Sequence, residues 1–183
     1  MKNTSEQFDL VAAQCADIFT KKARDYGTAW RILRPSAVTD QIFIKAHRIR
    51  SIQIKGEAKI NEGIIPEFIG IVNYSIMALI QLEKGFEESE QSTLQLEEIE
   101  KLYHKYMHEA KMLMMDKNHD YGEAWRQMRI SSLDDIILMK LMRVKQIEDN
   151  DGKTVISEGL DANYFDIINY AMFALIRLII ENE

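Results

Sequence analysis

The sequence predicts an all-α fold: a six-helix bundle built from two three-helix repeats related by a pseudo-twofold axis. Three observations carry this. The 183 residues include only 2 prolines and 8 glycines, too few for the many turns of a strand-built domain. Apolar residues recur at three- and four-residue intervals. One stretch is written twice: Asp25-Tyr26-Gly27-Thr28-Ala29-Trp30-Arg31-Ile32-Leu33-Arg34 returns as Asp120-Tyr121-Gly122-Glu123-Ala124-Trp125-Arg126-Gln127-Met128-Arg129.

The 95-residue spacing of that repeat persists on both sides. Upstream, Phe8, Val11, Cys15 and Ile18 align with Tyr103, Tyr106, Ala110 and Leu113. Downstream, Asp40, Lys45 and Arg48 align with Asp135, Lys140 and Arg143. One inserted residue then makes the offset 96, so Glu62-Gly63 matches Glu158-Gly159 and Asn73-Tyr74 matches Asn169-Tyr170. Copy 1 spans residues 1–85, an acidic linker 86–92, and copy 2 residues 93–183. Two copies of this apolarity should pack face to face as one compact body, as an isologous dimer does.

The first helix of each copy is expected over roughly 5–25 and 94–119, on the stripe Phe8, Val11, Ala12, Cys15, Ile18, Phe19. Thr4 with Gln7 would cap the first, Ser92 with Gln95 the other, and Gly27 and Gly122 would end them. The second helix is expected over roughly 40–54 and 133–148, after Thr39 or Ser132 as N-cap. The third is expected over roughly 66–84 and 162–181, opened by Pro66 in copy 1 and capped by Asp161 in copy 2.

Composition bounds the function. The chain is 46% apolar, enough to bury a core. A net charge of −6 and a pI near 5.3 argue against a large basic surface for duplex nucleic acid. The single cysteine, Cys15, rules out a disulfide framework and a cysteine-based zinc site, and lies on a core stripe. Met1 to Asp9 is polar, unlike a signal peptide. The apolar run from Tyr164 to Ile180 carries Asp166, Asn169 and Arg177, so it reads as a buried helix rather than a membrane span. A cytoplasmic protein with no membrane partner is expected.

Each repeated polar residue has two readings. Around the turn, Trp30 and Trp125 could fill core while Arg31 and Arg126 pair internally. Alternatively, these rings, with Tyr121, stack on a base and the arginines meet a phosphate. On the second helix, Lys140 and Arg143, repeated as Lys45 and Arg48, project beside apolar residues. They either snorkel or clamp phosphoryl oxygens. On the third helix, Asp166 and Asn169 lie amid apolar sequence. Asp166 needs a partner, either a cation such as Arg126 or Arg143, or a divalent metal held with Glu148 and Glu158. Copy 1 has Gln53 and Gly70 where copy 2 has Glu148 and Asp166, so copy 2 should supply most of any metal site. His104 and His108, one turn apart, read as a solvated face.

These residues resemble the nucleotide modification associated domain type one family, found in bacterial and phage proteins. The resemblance rests on the Asp-Tyr-Gly-x-Ala-Trp turn, the Lys-x-x-Arg of helix two and the Asp-x-x-Asn-Tyr-Ala of helix three, and it covers both copies. It implies a link to nucleotide metabolism. More distantly, the layout is similar to the MazG-like all-α nucleoside triphosphate pyrophosphohydrolases, which hold Mg²⁺ on Glu-x-x-Glu and Glu-x-x-Asp motifs. At the latter position this chain has Asn163-x-x-Asp166 and Glu67-x-x-Gly70, and helix two carries Lys-x-x-Arg.

The leading expectation is a Mg²⁺- or Mn²⁺-dependent pyrophosphohydrolase acting on a nucleoside triphosphate or related phosphorylated small molecule. Asp166, Glu158 and Glu148 would hold metal, and Asp120 would position water or a ligand. Lys140, Arg143 and Asn169 would contact substrate with Tyr121, Trp125 and Arg126. Trp30, Arg31, Lys45 and Arg48 would do so in copy 1. The alternatives are a non-catalytic nucleotide-binding or regulatory module and a structural or interaction protein. A homodimer of the fused pseudo-dimer is compatible with each.

Overall fold

The computed structural model describes residues 3–56, 63–89 and 92–183. All regular structure among them is helical. Copy 1 contains α1 (Thr4–Tyr26), α2 (Pro35–Lys55) and α3 (Ile65–Lys84). Copy 2 contains α4 (Leu96–Tyr121), α5 (Ile130–Asp149) and α6 (Leu160–Leu175), whose end widens into a π-turn over Ile176–Ile180. A 3₁₀ turn joins the first two helices of each copy, at Ala29–Ile32 and Ala124–Gln127.

The helix ends follow local chemistry, with corrections to the expected caps. Asn3, not Thr4, caps α1, through a reciprocal bond pattern with Glu6. Gln95, not Ser92, does the same for α4 with Glu98. Pro35 opens α2 five residues before the expected start, because its fixed φ suits the first turn. Thr39 therefore lies inside the helix, its hydroxyl bonded back to the Pro35 carbonyl at 3.1 Å. Ser132 likewise falls inside α5, which follows Arg129. Asp161 sits in the first turn of α6, behind Gly159, where its charge still suits the positive end of the helix. Gly27 and Gly122 end α1 and α4 at φ of +65° and +62°, a region costly for other residues.

The helices α3 and α6 form the centre and pack on each other, with α2 against α3, α5 against α6, and α2 against α5. The helices α1 and α4 run antiparallel: Asp9 meets Lys111 at 2.7 Å, and Phe19 stacks on Tyr103 at 4.5 Å. Exchanging the copies maps this contact pattern onto itself, which is the pseudo-twofold arrangement. Val11, Cys15, Ile42, Ile71, Ile76 and Ile137, with their neighbours, form one continuous core. Both α3 and the α6–π segment are long and apolar enough to cross a membrane. Some 72% and 67% of those apolar windows, however, are buried inside the bundle. Glu62 of the repeat alignment lies outside the described residues.

Candidate functional site

In each copy the end of the first helix, the turn, the middle of the second helix and the start of the third converge. The two copies make different things of this convergence.

In copy 1 it is an open cleft of about 410 Å³. Lys22 and Tyr26 enter from α1, Trp30 from the turn, Lys45 from α2, and Gly70 and Tyr74 from α3. Trp30 is half-buried and meets Phe19 edge-on at 6.5 Å. The Lys45 ammonium lies 5.6 Å from the centre of the Tyr74 ring and 3.7 Å from Glu67. Glu67 is the nearer partner of Arg48, with which it makes a direct ion pair. Lys22 makes no ion pair among the described residues. Gly70 lets the Lys45 side chain lie against α3: a Cβ there would come within 2.5 Å of the Lys45 Cδ.

In copy 2 the same place is filled from within. Asp166, at the position of Gly70, takes Lys117 on Oδ1 at 2.7 Å and Lys140 on Oδ2 at 2.9 Å. Burial works against the Lys117 charge, but its bond to Asp166 outweighs this and holds the ammonium above its ordinary range. Phe173, at the position of Met77, stacks on Trp125 at 4.2 Å with the rings within 5° of parallel. Arg126 lies over the same indole at 4.3 Å.

Several expected ligand contacts are thereby corrected. Trp125 is buried under Phe173 and offers no face to a base. Arg31 is 2% exposed. It donates to Gln81, to the Gly85 carbonyl at 2.7 Å and to Glu87 at 3.3 Å, so it closes copy 1 around the linker. Arg126 is held by Glu123, Glu181, Thr4 and Gln7. Asn169 is buried and donates to the Ala110 carbonyl at 3.1 Å, tying α6 to α4. Lys140 is engaged by Asp166. Arg143 is exposed, beside a shallow polar recess of about 720 Å³ that it shares with Lys140, Glu158 and Asn163. Tyr121 and Tyr26 are 75% and 77% exposed, and Asp120 is exposed beside His119 at 3.2 Å.

The expected metal ligands do not gather. Both Asp166 oxygens are occupied by lysines, Glu158 is exposed in the loop before α6, and Glu148 faces copy 1, accepting from Thr39 at 3.1 Å. Burial, against that bond, raises the Glu148 carboxyl above its ordinary range. Among the described residues no three His, Cys, Asp or Glu side chains are placed to hold a metal ion. The residues present do not fit the Mg²⁺ or Mn²⁺ site that the sequence suggested. His104 and His108 are exposed on α4, as expected of a solvated face.

Sequence reasoning missed Lys22 and Lys117, although they are identical at the 95-residue offset and lie one helical turn before Tyr26 and Tyr121. It also took Gly70 only for a lost ligand, when it is where the Lys45 side chain lies against α3.

A family model described as nucleotide modification associated domain 1 matches residues 22–82 and again 117–178. Each match begins at the cleft lysine, Lys22 or Lys117, and runs through the turn to the end of the third helix. No curated protein and no solved structure matches the chain. The two matches cover most of its length, and the chain therefore belongs to the nucleotide modification associated domain 1 family, carrying that domain twice.

Proposed function

We propose that the chain is a nucleotide-binding module whose ligand site is the copy 1 cleft. The observation that carries this is the juxtaposition there of Trp30, Tyr26 and Tyr74 with the ammonium groups of Lys22 and Lys45 around one open cleft. Aromatic faces bind a flat heterocycle, and paired cations bind its phosphate. The cleft is concave and mostly apolar with a few polar groups, as small-molecule sites are. The family description points the same way. Pyrophosphate hydrolysis on a carboxylate-held metal, the MazG-like reading, finds no ligand cluster among the described residues, so no catalytic step is assigned.

The test is calorimetric titration of the full chain with the common deoxynucleoside mono- and triphosphates, with and without Mg²⁺. Saturable binding is expected. Trp30→Ala and Lys45→Ala should each weaken it by about tenfold or more, roughly 1.4 kcal/mol; Lys45→Ala should leave Tm near wild type, whereas Trp30→Ala also loses its packing on Phe19 and lowers it. Lack of binding to every nucleotide, or equal binding by both variants, would overturn the proposal. Pyrophosphate release in the same samples would reinstate the hydrolase reading.

A further inference from the structure

Among the aligned positions at which the two clefts differ are Gly70 against Asp166, Met77 against Phe173, and Ile69 against Phe165. The first two concern the polar and aromatic parts of the cleft. In copy 2, one carboxylate bridges the two lysines, each oxygen taking one ammonium. Beside it, one benzene ring lies flat on the motif tryptophan. In copy 1 both lysines and the tryptophan remain, while the ring and the bridging carboxylate are gone; Lys45 lies 3.7 Å from Glu67, whose nearer partner is Arg48, and Lys22 has no carboxylate among the described residues. A two-oxygen anion shared by both lysines and a planar ring are thus the groups that copy 2 supplies from its own α6 and copy 1 lacks.

We infer that copy 2 is self-liganded: Asp166 and Phe173 mark where the anionic group and the planar ring of a bound molecule lie in copy 1. The chain then has one ligand site, not two, and its ligand is a planar heterocycle carrying a compact anion. This rests on the nucleotide-binding reading and narrows it to a nucleoside monophosphate. A single phosphate can accept from Lys22 and Lys45 on separate oxygens, as Asp166 accepts from Lys117 and Lys140. A cleft of about 410 Å³ is near the small end of ligand cavities and suits one mononucleotide. The crowding at Gly70 does not forbid an aspartate there. The atoms in the way belong to the flexible end of Lys45, and in copy 2 an aspartate and a lysine at these two positions stand together as the Asp166–Lys140 ion pair.

The experiment reads stoichiometry. The full chain is titrated calorimetrically with dAMP, dCMP, dGMP and dTMP, and with the matching nucleosides and inorganic phosphate alone. Wild type should bind one mononucleotide per chain and bind the separate parts at least tenfold more weakly. Gly70→Asp should close copy 1 and weaken binding by at least tenfold. Asp166→Gly with Phe173→Met should open copy 2 and give two mononucleotides per chain. Wild type binding two per chain, an unaffected Gly70→Asp, or a single site in the double variant would overturn the inference while leaving nucleotide binding intact. A second readout is independent of nucleotide. Sodium acetate should raise the Tm of Asp166→Gly relative to sodium chloride at equal ionic strength, and should not do so for wild type. Failure of that rescue would overturn the assignment of the lysine pair as an anion site, even if no nucleotide binds wild type.

Discussion

Tyr103 of α4 donates its hydroxyl to Oδ1 of Asn73 in α3 at 2.6 Å. The Asn73 amide in turn donates to the Cys15 carbonyl of α1 at 3.1 Å, so one side chain ties three helices together. Copy 2 repeats only half of this. Asn169 donates to Ala110, but its Oδ1 is buried without a partner among the described residues, because Phe8 stands where a second tyrosine would be. Tyr103→Phe should therefore cost about 1–2 kcal/mol, since it orphans a buried acceptor. Phe8→Tyr should be neutral or stabilising by up to about 1 kcal/mol, because it offers Asn169 the missing donor. Urea denaturation midpoints of the two variants check both signs.

Asp134 of α5 is fully buried, and neither carboxylate oxygen has a hydrogen-bond partner among the described residues. Its counterpart Thr39 is satisfied by Tyr164 and Glu148, but the positions corresponding to those two are Phe68 and Gln53. Burial, reinforced by Asp135 and opposed by Arg50, pushes the Asp134 carboxyl from 3.8 up to about 7. Between these values the folded protein keeps a proton that the unfolded chain has lost. Stability should therefore fall as pH rises from about 4 to 7, with the penalty complete above that. Glu148, also raised by burial, acts with the same sign. Asp134→Asn should stabilise the protein at pH 8 by about 2–4 kcal/mol, roughly 5–10 °C in Tm, and have little effect near pH 4. Thermal melts across that range decide it. A Tm gap between variant and wild type that does not change with pH would contradict the burial argument.

Arg31 serves the fold. Arg31→Ala should lower stability by about 2–4 kcal/mol, because Gln81, the Gly85 carbonyl and Glu87 lose a buried donor at once. Arg31→Lys should not restore it, as one ammonium lacks the planar fork that reaches three acceptors. Nucleotide affinity of the folded fraction should stay near wild type. A large affinity loss with unchanged Tm would return Arg31 to the ligand.

The duplication, the three helices per copy and the glycine-stopped turns were legible because they depend on local spacing. Gly27 ends α1 wherever the helix is placed, and the stripe from Phe8 to Phe19 faces apolar partners in any arrangement. Lys140 was expected to meet a substrate phosphate, and its pairing with Asp166 was not legible. Asp166 lies 26 residues away, and its choice of Lys117 and Lys140 over a metal or an arginine depended on how α4, α5 and α6 dock.

What the sequence determined by itself was an all-α chain with two equivalent places for chemistry, since backbone pattern repeats with residue pattern. Only the tertiary structure decided which place is open. The volume left beside Trp30 and Trp125 is set by what α3 and α6 project across the cleft. Gly70 and Met77 line an open cleft in copy 1, whereas Asp166 and Phe173 meet the lysines and the tryptophan of copy 2. The acidic copy, richer in candidate ligands on the page, is the one whose charges are spent on each other.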